Sequence, residues 1–273
     1  MGKNLHQREY ASKINRGEPI EICGLTLYPL TMENYEEFYA LQHTLNVRLS
    51  ALPVQYMQYD YLNALWHMDC DRQKSESGEK SVSMVSGLFH LFLLALRISP
   101  ENIKNSLSFS QTNDGSIDSL LVCQNDTILS IRSVDFSSKI RPVMAAQNGV
   151  ELPDESANVD LIQAGVEKKA FHANGSDDIS FDIAKLISSV AYQSHVREKE
   201  IYSWTIREFT NRKDAIDRDK CYTIYATAEM SGFVKFKKGN PFPSWCFDKK
   251  QDPTGAMSIQ EVQKRFGNAQ EKT

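Results

Sequence analysis

The run from Val82 to Arg97, VSMVSGLFHLFLLALR, constrains the fold more than any other part of the chain. Its spacing predicts a helix, and the C-terminal half is apolar on nearly every face, a pattern that suits only a helix covered on all sides. The apolar part, Gly87–Ile98, is far shorter than the roughly 20 residues needed to cross a bilayer, and His90 interrupts it. The run therefore reads as the most buried helix of the N-terminal part. A composition of 41% apolar and 24% charged residues fits a packed core around it.

The neighbouring sequence supplies short elements. Ile20, Ile22, Leu25, Leu27 and Tyr28 read as a strand or hairpin bent at Gly24. Thr31 is expected to cap a helix, with Leu30 and Tyr35 as a hydrophobic staple and Tyr35, Phe38, Tyr39 and Leu45 facing the core. Pro53 suits the first turn of a second helix, in which Val54, Met57, Tyr61 and Leu65 recur at helical spacing. The polar stretch Asp69–Ser81 reads as an exposed loop, and Ser99-Pro100-Glu101 as the start of a single turn.

Three runs then alternate in strand fashion: Leu107–Gln111, Ile117–Cys123 and Thr127–Ser133. Asn113-Asp114-Gly115 and Asn125-Asp126 between them tolerate the positive φ of tight turns, so a three-stranded meander is expected. A helix near Asp135–Gln147 follows, kinked or started late by Pro142 and ended by Asn148-Gly149.

After Pro153 the strand signals stop. Helices are expected at Asp160–His172 and, after a break at Ala173-Asn174-Gly175 and a cap at Ser180, along Ile183, Leu186, Ile187, Val190 and Ala191. The longest helix is capped by Thr205, with Glu208 placed to reach back to the cap. It carries Ile206, Phe209, Ile216, Tyr222 and Tyr225, and Gly232 is placed to end it in a left-handed conformation. An aromatic tail with Pro241, Pro243, Trp245 and Phe247 leads to a weak helix at Ser258–Phe266. The expected fold class is α+β: N-terminal helices with a small antiparallel β-meander, then a mainly α-helical C-terminal part. The expected organisation is a flexible arm (1–16), an α+β domain (17–152), a helical domain with the aromatic tail (153–250) and a weakly ordered extension (251–273).

Charge and cysteine usage narrow the function classes. A net charge of −4 gives no global attraction to nucleic acid or anionic lipid. Five scattered cysteines, odd in number and never spaced C-x-x-C, argue for reduced thiols in a cytosol. The first residues, MGKNLHQREYASKINRGE, are polar throughout and do not read as a signal peptide.

Catalytic chemistry finds little support. His67, Asp69, Cys70 and Asp71 are metal-ligand types, but no second cluster completes a coordination shell, so surface chemistry is the better reading. His90 reads as a hydrogen-bonded core histidine, and His172 and His195 as helix-end residues. No Ser or Cys nucleophile with an oxyanion motif accompanies them, and no phosphate-binding loop occurs. Arg207, Arg212 and Arg218 are expected to pair with neighbouring acids on a solvated face. Lys235, Lys237, Lys238, Lys249 and Lys250 interleave with Phe233, Phe236, Phe242, Trp245 and Phe247. That pattern suits stacking on a single strand. The competing and favoured reading is a tail that docks its rings onto the helical part or a partner. No catalytic, cofactor or metal residue is expected, and the chain does not read as an enzyme.

Two stretches carry a resemblance. GEPIEICGLTLYPLTMENYEEFYAL (17–41) joins a strand, an L-x-x-Y-P-like turn and a helix with Tyr and Phe. RPVMAAQNGVELPDES (141–156), IYSWTIREFTNRKDAIDR (201–218), AEMSGFVKF (228–236) and GNPFPSW (239–245) form the second, in which the tail motif is the most specific. Together they resemble prophage-encoded proteins from the tail-morphogenesis modules of phages of Gram-positive bacteria, a group similar to tail assembly chaperones. The resemblance covers about two-thirds of the chain in broken segments. The Asp69–Ser81 loop and the extension after Lys250 fit it least.

The resemblance implies a non-enzymatic protein of the bacterial host cytoplasm whose partners are phage tail proteins, the tape-measure protein first. It implies no cofactor, no membrane and no established catalytic residue; a homo-oligomer stays open. The residues it offers for partner binding, through apolar helical surfaces, are Trp204, Phe209, Tyr225, Phe242, Trp245 and Phe247. Each is also a side chain that an ordinary helical core would use, and Trp245 and Phe247 are the two most expected to be exposed. The alternatives are a structural virion component (tail, neck or baseplate subunit) and, ranked last, a cytosolic nucleic-acid or host-factor binder.

Overall fold

The computed structural model describes residues 10–75, 83–99, 106–124, 127–155, 182–232, 234, 236 and 239–247. They fall into two compact units, one drawn from Met1–Glu155 with Ala184–Asp214, the other from Ser156–Ile183 with Ala215–Thr273. The fold is α+β, as the sequence pattern implies.

The first unit opens with a short helix, α1 (Ala11–Asn15), so the expected arm is folded from Tyr10 onward and Ile14 is buried. A hairpin follows, β1 (Ile20–Ile22) and β2 (Leu25–Leu27), paired Ile20↔Leu27, Glu21↔Thr26 and Ile22↔Leu25. Cys23 and Gly24 make its two-residue turn with φ of 52° and 80°, the positive pair that matches the twist of the strands. Ile20, Ile22, Leu25 and Leu27 share the buried face.

The second sheet is the expected meander: β3 (Leu107–Gln111), β4 (Ile117–Gln124) and β5 (Thr127–Arg132), in that order. Leu120, Val122 and Ile131 point into the core. In the apolar helix α4 (Met84–Ala95), Leu88, Leu91, Phe92, Leu93 and Ala95 have no exposed surface. Phe92 meets Phe136 edge to face at 5.1 Å. The end of α4 binds both sheets: Tyr28 N–H donates to the Ala95 carbonyl, and Gln124 Nε2 donates to those of Leu96 and Thr26. The helix is sealed on most of its faces and open along one stripe, where Ser86 is exposed and His90 and Leu94 are half-buried.

After β5 the chain winds through α5 (Ser133–Asp135), a π-helical stretch (Phe136–Ile140) and α6 (Arg141–Gln147). Pro142 has no N–H to give to the preceding turn, and the widened turns lie directly before it. Gly149, at φ +76°, ends the helix as expected.

Several expectations are corrected. The second helix, α3 (Tyr61–Ser75), starts after Asp60, whose carboxylate accepts the Asn63 N–H at 3.2 Å. Pro53 instead leads a 3-10 turn (Val54–Tyr56), which leaves Val54 and Met57 exposed. The expected loop at Asp69–Ser81 is helical as far as Ser75, and Asp69 is buried because it caps α4. Thr31 makes no side-chain cap; a 3-10 turn (Met32–Asn34) precedes α2 (Tyr35–Leu41), and Tyr39 faces solvent.

The helices α7 (Ile183–Ser194), α8 (Glu198–Ile201) and the first turns of α9 (Ile206–Met230) belong to the first unit, not to a separate domain starting at 153. A backbone bridge holds α9 there. Met32 N–H donates to the Trp204 carbonyl and Ile206 N–H to the Leu30 carbonyl, each at 2.9 Å. The expected turn at 100–101, the helices at 160–172 and 258–266, the break at 173–175, the Ser180 cap and the 251–273 extension lie outside the described residues.

Candidate interaction site

The start of α9 follows its sequence. Thr205 Oγ1 accepts the Glu208 N–H at 3.1 Å, the expected N-cap. Glu208 does not complete the box; its carboxylate takes a hydrogen bond from Arg212, one turn on. Arg212 also lies over the Trp204 ring, 4.2 Å from its centre, so Trp204 is half-buried beneath a cation. Phe209 is 2% exposed and Ile206 is equally sealed, which removes both from any contact surface. The reason is the bridge to residues 30–32, which turns that face of α9 inward. Arg207 is not on a solvated face either: its Nη1 donates to the Ala146 carbonyl at the end of α6.

In the second unit α9 ends at Gly232, φ +77°, where the sequence places the stop. The tail packs on the helix it has just left. Tyr225 stands between Phe236 and Phe242, with ring centres 5.5 and 5.1 Å away. Asn240 Nδ2 donates to Glu229, and Asn240 Oδ1 accepts the Phe242 N–H. Ser244 Oγ accepts the N–H groups of both Cys246 and Phe247, a hydroxyl-closed turn. That turn leaves Trp245 60% and Phe247 76% exposed. The six candidate residues therefore separate into one core residue (Phe209), one covered ring (Trp204), a packed pair (Tyr225, Phe242) and an exposed pair (Trp245, Phe247). Ile216 and Tyr222 are half-buried.

The ionisable groups of the first unit hold structure together. Asp69 Oδ2 accepts the Val85 N–H at 2.9 Å and the Ser83 hydroxyl at 2.7 Å, while Ser83 Oγ caps the Ser86 N–H. His67 stacks on Tyr59 at 4.2 Å, and its Nε2 lies 2.8 Å from Ser116 Oγ, which also contacts Asp114. Asp71 accepts the Tyr56 hydroxyl, which, with Lys74, holds its carboxyl below the usual range. The metal-type residues thus work separately, and among the described residues no three His, Cys, Asp or Glu side chains come together to hold a metal. His90 is hydrogen-bonded, as read, to Glu37 at 2.6 Å, but at the rim of the core. His195 ends α7 with φ 56°; His172 lies outside the described residues.

Two buried polar centres escape the sequence reading. Asp60 accepts Ser133 and Ser137 hydroxyls and the Asn63 amide, and Asn63 pairs with both backbone groups of Ile117. The spacing Asp60-Tyr-Leu-Asn63 is itself a helix-start signal. In the second centre, Arg141 lies 3.4 Å over the Tyr61 ring and its Nε donates to the Leu45 carbonyl. Burial lowers the Arg141 pKa and pushes the Tyr61 phenol up to about 12. Separately, an open depression of about 490 Å³ lies beside α7 and α8, with Lys185, Ser188, Glu198 and Tyr202 on its wall. Ser188 donates to Glu198 there.

The structure thus defines an α+β protein that carries an exposed aromatic pair on a folded-back tail. The chain matches no protein-family model, no curated protein and no solved structure. No helix among the described residues is long and apolar enough to cross a membrane.

Proposed function

We propose that this chain is a non-enzymatic morphogenesis protein of a tailed phage, a tail assembly chaperone that works in the cytoplasm of the bacterial host. Its partner is the tape-measure protein, a long and largely helical chain whose apolar stripes need cover before the tail tube surrounds them. The reading rests on the segments quoted above and on one structural observation, the exposure of Trp245 and Phe247. Large rings held out by a fixed turn are the side chains that dominate binding energy when they enter a partner's groove. Tyr225 and Phe242 act here as the base that holds the turn, and Phe209 and Trp204 are dropped from the contact.

Co-expression with the tape-measure product tests this. Replacing Trp245→Ala together with Phe247→Ala is expected to abolish co-purification, while the chain itself keeps its melting temperature because both rings are exposed. Unchanged co-purification removes the tail from the contact. Mass spectrometry of purified particles separates the chaperone, absent from them, from a structural virion component.

A further inference from the structure

The meander has two edge strands, β3 and β5, and they differ among the described residues. Along β3 the pairing with β4 slips between Ser110 and Gln111, and Phe109 leans on the Trp66 ring 5.2 Å away. Bulges and covering side chains are the usual means of blunting an edge. β5 has neither. Its register with β4 is unbroken from Ser119↔Arg132 to Gln124↔Thr127. Among the described residues, no segment other than β4 bonds to its backbone. The strand TILSIR holds no Pro, no Gly and no internal charge, and its terminal Arg132 is engaged by Asp135 at 2.9 Å. On its outer face Ile128 is 72% exposed, diagonal to a partly exposed Leu121.

A row of unpaired peptide groups is complemented by an extended chain, because a helix has no spare backbone donors along its length. We propose that β5 is a dimerisation edge, at which a second copy of this chain pairs its own β5 antiparallel and extends the meander to a six-stranded sheet. An antiparallel edge is its own complement under a two-fold axis. With the axis at Leu129, Ile128 of each strand stands opposite Ser130 of the other on one face. The two isoleucines then become diagonal neighbours and cover each other. The same axis keeps the two Arg132 side chains at opposite ends, so no like charges meet. This interface is independent of the aromatic tail.

Sedimentation equilibrium of the full chain tests it. A dimer is expected with a dissociation constant of about 1–100 μM, the weak end for a small interface. Ile128→Lys with Ser130→Lys sets like charges across the axis and is expected to weaken the dimer at least ~100-fold. The same lysines on β3, Ser108→Lys with Ser110→Lys, leave it unchanged. Hydrogen exchange of the unaltered protein gives a readout free of folding effects: amides of Thr127–Arg132 slow as concentration rises. A chain that stays monomeric at about 100 μM overturns the proposal. So does a dimer that survives the β5 lysines, one that falls to the β3 lysines, or exchange in β5 that ignores concentration.

Discussion

Asn63 offers the sharpest test of how the first unit is held together. Its side chain behaves as a fragment of β-strand: Oδ1 accepts the Ile117 N–H at 2.7 Å, and Nδ2 donates to the Ile117 carbonyl at 3.0 Å. Nδ2 also reaches Asp60 Oδ2 at 2.9 Å. Both Asn63 and Ile117 are buried, so water cannot replace a lost partner. In Asn63→Ala the Ile117 N–H is orphaned at about 1–3 kcal/mol, and the carbonyl and Asp60 each lose a donor, giving roughly 3 kcal/mol in total. With a urea slope of about 2 kcal/mol/M, the unfolding midpoint falls by roughly 1.5 M.

Asn63→Asp separates hydrogen-bond loss from lost volume. The shape is kept and the acceptor restored, but a second carboxylate now faces Asp60 and the Ile117 carbonyl. Neither neighbour tolerates that charge, so the folded state raises the introduced carboxyl's pKa above its unfolded value of about 4. Stability is then fully present below that value and is lost as pH rises through the raised, folded one. The gap between this variant and the unaltered protein should therefore narrow from pH 7 towards pH 4, whereas the alanine gap stays flat. Urea titrations followed by tryptophan fluorescence measure both; of the three tryptophans, Trp66 reports on this region, its Nε1 bonding the Gly115 carbonyl in the adjoining turn. An alanine cost under about 0.5 kcal/mol, or an aspartate gap indifferent to pH, refutes the strand-mimic argument.

Other perturbations reach different elements. Asp69→Ala removes the acceptor of two hydrogen bonds at the start of α4 and is expected to cost about 2–3 kcal/mol in thermal melts, with Asp69→Asn recovering part of it. Thr205→Ala should cost about 1 kcal/mol through loss of the α9 cap, and Thr205→Ser should restore most of it. The Tyr61 phenol, at about 12 folded, is raised above its unfolded value near 10. Its contribution is intact below pH 10 and lost between about pH 10 and 12, an alkaline destabilisation of roughly 2–3 kcal/mol that Tyr61→Phe abolishes in titrations read by absorbance.

The elements with local causes were legible. Residues 20–28 read as a strand or hairpin, and Cys23-Gly24 makes the turn of a hairpin; the turn residues before β4 mark the meander; Thr205 and Gly232 bound the long helix. The second helix was misplaced because Pro53, Val54 and Met57 supply helical spacing, yet the deciding signal is the Asp60 carboxylate and its partners on a distant segment. For the candidate site, the sequence marked six rings as one group. The structure divides them, because the bridge at Leu30, Trp204 and Ile206 buries Phe209 while the Ser244 turn exposes Trp245 and Phe247.

Local spacing alone marks α4 as the most buried helix of the N-terminal part, Gly24 and Gly115 as turn positions, and Thr205 and Gly232 as the bounds of α9. These follow from chain geometry within a few residues of each position. Long-range packing sets the rest: the helices up to Asp214 join the first unit, Asn63 completes β4, and, of the six candidate rings, Trp245 and Phe247 are left in water. Spacing sets which side chains share a face, whereas what lies opposite that face depends on segments about a hundred residues or more away, such as the pairing of Thr31 with Thr205.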